Sequence, residues 1–141
     1  MIAVIRIRGQ VGLNAKIKET FNRLNIRKKY SCIVDANPSK EKIGMVKKIK
    51  DLVAYGEISD ETLKKLIEKR GRPMNKNEKI DSAKIIEGIK KGKSYSELNL
   101  KPFFRLHPPR KGIDSKKHFG VNKGILGNNK EKINELIERM L

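Results

Sequence analysis

The chain has 141 residues, enough for one domain carrying an extension, and with 37% hydrophobic residues, 5% aromatics and no Trp its core is aliphatic and thin. Lys and Arg number 34 against 16 Asp and Glu, and self-repulsion at a net charge of +18 opposes compaction unless a polyanion offsets it, which points to nucleic acid. A membrane surface is the weaker partner, because the sequence shows no apolar run of spanning length, no charged-then-apolar leader at Met1, and no basic stretch with a bulky aromatic face.

In chain order, residues 1–8 read as a strand, since Ile2, Val4, Ile5 and Ile7 are β-branched and Arg6 and Arg8 enter toward its end. Gly9-Gln10-Val11-Gly12 breaks the pattern into a flexible loop. Asn14 then caps a helix running to about residue 25, with Leu13, Ile17, Phe21 and Leu24 as its apolar stripe. Arg27-Lys28-Lys29 makes a basic corner before a second strand at 30–36, which Asn37-Pro38 ends. Ser39 caps a second helix with Ile43, Val46 and Ile49 facing inward, and 52–58 reads as a third strand. The order strand–helix–strand–helix–strand predicts a sheet with helices on one face, an α+β layer.

After Ile58 the alternation stops. Ser59 caps a helix over about 59–71, with Asp60 and Glu61 in its first turn and Leu63, Leu66 and Ile67 on its buried side. Residues 74–79 read as a loop, and Asp81 opens a helix over about 81–92 carrying Ile85, Ile86 and Ile89. Ser94-Tyr95-Ser96-Glu97 matches a capping box for one further turn. From about 100 to 128 no periodicity is sustained, and prolines and glycines interrupt it throughout. Asn128 or Asn129 caps a last helix to 141, with Ile133, Leu136, Ile137 and Met140 on one side.

The 101–124 stretch is the most informative part. It carries Lys101, Arg105, Arg110, Lys111, Lys116, Lys117 and Lys123 against Asp114 alone, together with Phe103, Phe104, His107, His118 and Phe119. Such a segment does not order itself by burial, and cations interleaved with flat rings suit an extended RNA-binding arm. The blander alternative is a solvated loop pinned by its rings, and core packing is the expected role of Phe103 and Phe104. The 27–29 corner would by itself be an ordinary solvated helix end, since cations favour a helix C-terminus. Beside the loop of Arg6, Arg8 and Gln10 it becomes a candidate phosphate clamp. Lys47, Lys48 and Lys50 read as a helix face, with Lys47 a candidate contact, and Lys16 and Arg72 complete the candidate set.

Signals for catalysis are weak. Gly9-Gln10-Val11-Gly12 lacks the Gly-Lys-Ser/Thr of a P-loop, and no dinucleotide fingerprint occurs. His107 and His118 have no Asp or Glu at a spacing that suggests a general base or metal site. Cys32, the only cysteine, allows no intrachain disulfide or cysteine metal cluster, fits a reducing compartment, and reads as a buried strand thiol. No catalytic residue, metal, cofactor or small-molecule substrate is expected. Two other classes stay open. A phosphate-handling enzyme would use the glycine loop and Arg8, which are similar to acylphosphatase-like phosphate loops. A free DNA-binding architectural protein would bind duplex DNA as well as RNA.

Several runs carry a family resemblance. Leu24-Asn25-Ile26-Arg27-Lys28, Asn37-Pro38, Ile43-Gly44-Met45-Val46 and Leu66-Ile67-Glu68-Lys69-Arg70-Gly71 lead to the specific Phe104-Arg105-Leu106-His107-Pro108-Pro109-Arg110-Lys111-Gly112, then Leu126-Gly127-Asn128 and Ile133-Asn134-Glu135-Leu136-Ile137. Over nearly its whole length the chain resembles the large-subunit ribosomal protein L-thirty family in its long archaeal form, whose eukaryotic counterpart is L-seven. The resemblance implies a three-stranded antiparallel sheet with two helices over 1–58 (β-α-β-α-β, a relative of ferredoxin-like folds). It implies a helical and extended C-terminal extension over 59–141, an arm at about 100–128 included. It also implies a cytoplasmic structural component of the large ribosomal subunit, bound to ribosomal RNA and neighbouring ribosomal proteins, with no catalysis. The lack of a long basic N-terminal tail points to the archaeal form, and the 73–79 loop is shorter than in eukaryotic members.

Overall fold

The computed structural model describes residues 1–141. The first half follows the pattern expected of it: β1 (Ile2–Arg6), α1 (Ala15–Arg23), β2 (Ser31–Asp35), α2 (Lys40–Lys48) and β3 (Val53–Glu57). Asn14 and Ser39 cap the two helices through side-chain oxygens that accept from Ile17 N and Lys42 N. Leu24 closes α1 and Asn25, at φ +59°, turns the chain away. β1 pairs antiparallel with β2 on one side and β3 on the other, with Val4 opposite both Ile33 and Tyr55.

The second half adds α3 (Asp60–Arg70), α4 (Ser82–Lys90), β4 (Phe104–Arg105), β5 (Ser115–His118), β6 (Gly124–Asn128), a 3-10 turn at Lys130–Lys132 and α5 (Ile133–Met140). Here the expected fold needs correction. The sheet has six strands, in the order β4-β2-β1-β3-β6-β5, and not three. β4 pairs with the free edge of β2, and β6 pairs parallel with the free edge of β3. The extension thus satisfies two rows of backbone donors and acceptors that a three-stranded sheet leaves open. The 100–128 stretch is therefore partly β-structure, and is no free arm.

Helices also cover both faces and not one. The alternation of β1 divides its side chains: Val4 packs with Phe21, Leu24, Ile26, Val46, Ile49 and Val53 under α1 and α2. Ala3, Ile5 and Ile7 turn the other way and join Leu63, Leu66, Ile67, Phe104, Leu126, Ile133, Ile137 and Met140. Cys32 and Phe104 are fully buried in that second core, whereas Phe103 is half-buried with the Arg105 guanidinium 5.3 Å from its ring. Tyr95 reaches across from the turn after α4 and donates to Val34 O. At the last helix Asn128 accepts from Lys130 N, while Asn129 is buried and donates to Ile125 O and Gly127 O. No helix is long and apolar enough to cross a membrane.

Candidate nucleic-acid interface

Strand register gathers the basic loops at one end of the sheet. β1 leaves into the 8–12 loop at that end, and its antiparallel neighbours begin there, β2 just after the 27–29 corner and β3 just after Lys50 and Asp51. β4 ends there, with Arg105 opposite Ser31 and Leu106 N donating to Tyr30 O. β6, parallel to β3, begins there after Lys123, and β5, parallel to β6, begins with Ser115 and Lys116. Arg8 Nη2 donates to Lys116 O at 3.4 Å, which brings the first loop against β5.

Arg6 lies at the centre of this end but is only 1% exposed. Its Nε donates to Arg8 O (3.0 Å), its Nη1 to Ile26 O (3.1 Å) and Arg27 O (2.6 Å), and its Nη2 to Gly9 O (3.1 Å). The guanidinium carbon sits 3.9 Å from the centre of the Phe21 ring, where the cation meets the π face. Burial lowers its pKa from the ordinary value, yet four carbonyl acceptors hold it as a guanidinium. The expectation that Arg6 contacts RNA directly is thus corrected: its donors face inward. Gln10 is exposed, donates to Arg27 O at 2.8 Å and ties the loop to the corner from outside.

The remaining cations of this end face solvent. Arg8, Arg27, Lys28, Lys29, Lys116, Lys117 and Lys123 are exposed, and none takes part in an ion pair. The nearby acid Asp51 is engaged by His118, whose Nε2 lies 2.8 Å from its Oδ1. This corrects the reading of His118 as lacking a carboxylate partner; strand register, not sequence spacing, makes the pair. Both side chains are exposed, and no group of three metal-ligating residues exists anywhere.

Beside this end, the 107–112 segment crosses the C-terminus of α5. His107 N donates to Met140 O, Arg110 N donates to Arg139 O, and the Arg139 guanidinium returns bonds to Arg110 O and Gly112 O. The His107, Arg110 and Lys111 side chains are left exposed. Lys16 lines the groove between α1 and α2 with Lys48 and Arg23, and Lys47 borders an apolar cleft under α2 with Ile2, Val4 and Tyr55. Nothing brings Arg72 to the basic end; its carbonyl accepts from Lys101 N, upstream of β4.

Comparison with known proteins adds an independent line. The family model described as ribosomal protein L30p/L7e matches residues 2–53. Large ribosomal subunit protein uL30 of Methanosphaera stadtmanae is 38% identical over 100% of both chains. Its namesakes from Archaeoglobus fulgidus and Desulfurococcus amylolyticus are each 41% identical, covering 99% and 100% of this chain and 99% and 98% of their own.

The chain belongs to the uL30 family.

It has the long archaeal form, because the full-length relatives also cover the residues that lie beyond the matched 2–53 segment. Within that frame the uL30 core supplies the 8–12 loop and the 27–29 corner. The extension supplies Arg105, Lys116 and Lys123 at the same end.

Proposed function

We propose that the basic end of the sheet is the surface by which this uL30 protein holds folded large-subunit ribosomal RNA. As a family member it is a structural component of the large ribosomal subunit in the cytoplasm, not an enzyme, with neighbouring ribosomal proteins as further partners. The observation that carries the RNA surface is the set of exposed cations, outside any ion pair, that strand register collects there from both halves of the chain. Phosphate neutralisation supplies most of the affinity, so binding falls steeply with salt. Specificity comes from RNA shape, since side chains do not enter the deep groove of an A-form helix. The extension's cations act from strands and a pinned segment, so less ordering entropy opposes binding than for a free arm.

Two measurements test this. The tagged chain in an archaeal lysate should sediment with the large subunit and stay bound in moderate salt. Replacing Arg27, Lys28 and Lys29 together with Ala should flatten the slope of log K against log salt by about two, at roughly 0.7 per lost phosphate contact. The Arg27 carbonyl that Arg6 and Gln10 bind is kept in that variant. An unchanged slope would remove the corner from the interface. Equal affinity for duplex DNA and ribosomal RNA would instead favour a general nucleic-acid binder.

A further inference from the structure

We infer that buried Arg6 is the positioning residue of the basic end: its guanidinium locks the 8–12 loop and the 26–29 corner together, so that the exposed cations of both meet RNA phosphates as one preformed surface. This rests on the reading of that end as the RNA site and names the group that organises it. Three observations carry it.

No backbone hydrogen bond joins the 8–12 loop to the 26–29 corner. Side chains alone make the connection: Arg6 to the carbonyls of Arg8 and Gly9 on one side and of Ile26 and Arg27 on the other, with Gln10 adding a second tie to Arg27 O. The loop's other ties are at its start, where Arg8 N donates to Leu52 O and Arg8 Nη2 to Lys116 O; Val11 at its tip is 98% exposed and Gly12 sits at φ +78°. Arg6 also has no carboxylate partner. A buried cation without a counterion is costly, and an apolar side chain against Phe21 would hold the core without that cost. What an apolar side chain cannot do is donate to four carbonyls on two loops. The planar fork of arginine can, and lysine, a single point of three donors, cannot span them.

The test uses full-length chain and extracted archaeal large-subunit ribosomal RNA, with affinity measured across a salt series. Arg6→Lys keeps the charge and loses the fork. It should bind at least tenfold more weakly, with a salt slope flatter by one or more, at about 0.7 per lost contact. Since Arg6 touches no solvent, a flattened slope reports displaced Arg8, Arg27, Lys28 or Lys29, whereas a residue that only stabilises the core leaves the slope of the folded protein unchanged. A folded Arg6→Lys protein with the original slope and affinity overturns the inference. Should Arg6→Lys fail to fold, Gln10→Ala decides: this exposed change cuts only the outer tie, and is expected to weaken binding two- to fivefold with a flatter slope. No change there overturns the inference too. The Arg27, Lys28 and Lys29 triple variant separates the two claims, because its failure to weaken binding would remove the RNA site itself.

Discussion

The uL30 core of this chain should not stand alone, although the matched family segment ends at residue 53. Cutting the chain after Ile58 removes α3, α5, β4 and β6 and strips the cover from Ile5, Ile7 and Val34, which are 0%, 0% and 2% exposed in the whole protein. Burying one Val or Ile side chain is worth about 1.5–3 kcal/mol, so uncovering these three forfeits about 5–9 kcal/mol. That compares with a total stability of about 5–15 kcal/mol for a typical domain. The cut also reopens the outer edges of β2 and β3, which then offer unpaired backbone to other copies. The expected result for a 1–58 fragment is dye-accessible apolar surface, no cooperative melt by circular dichroism, and association on size exclusion. A monomeric fragment melting cooperatively near the temperature of the full chain would refute the argument. It would show that the face turned toward α3 and α5 tolerates water.

Three further outcomes are expected. Burial pushes the Cys32 thiol from 9.0 up to about 12 and raises the Tyr95 phenol, chiefly by desolvation with the Cys32 and Asp35 charges adding to it. The folded chain keeps both protons while the unfolded chain loses them, so stability is full below pH 9 and falls from there toward pH 12; melts from pH 7 upward should show a fall that Cys32→Ala with Tyr95→Phe reduces, and an equal fall in that variant would refute the cause. Gly56→Ala places a Cβ 2.2 Å from Lys130 O and 3.0 Å from the Ile133 Cβ, so calorimetry should show a lower Tm, by about 2–4 °C for each of the roughly 1–3 kcal/mol that overpacking costs. An unchanged Tm would mean that the junction of β3 and α5 yields. Arg110→Ala with Lys111→Ala leaves the backbone bonds to Arg139 in place, so the fold should hold while the salt slope of RNA binding flattens by about 1.4, and an unchanged slope would take 107–112 out of the interface.

What could be read from the sequence was what local pattern determines. Alternation on β1 and β2, the stripe of Ile17, Phe21 and Leu24, and the caps at Asn14, Ser39, Ser59 and Asp81 all depend on neighbours within a few residues. The added strands have no such pattern: β4 is two residues long, and β5 is Ser-Lys-Lys-His, polar on both sides because it lies at the sheet's outer edge. They exist because distant edges accept them, which no window along the chain contains. The same limit separated the cations wrongly. Arg6 falls on the Ile2 and Val4 side of β1, toward α1, and that two-residue spacing was the one available sign of its burial. Arg6 and Arg139 direct their donors to carbonyls of their own chain, whereas Arg27, Lys28, Lys29 and Lys116 take part in no ion pair. A net charge of +18 counts both kinds alike, yet only the second kind is free to neutralise phosphate. For this chain, then, strand register, more than charge itself, divides cations left exposed and unpaired from cations that build.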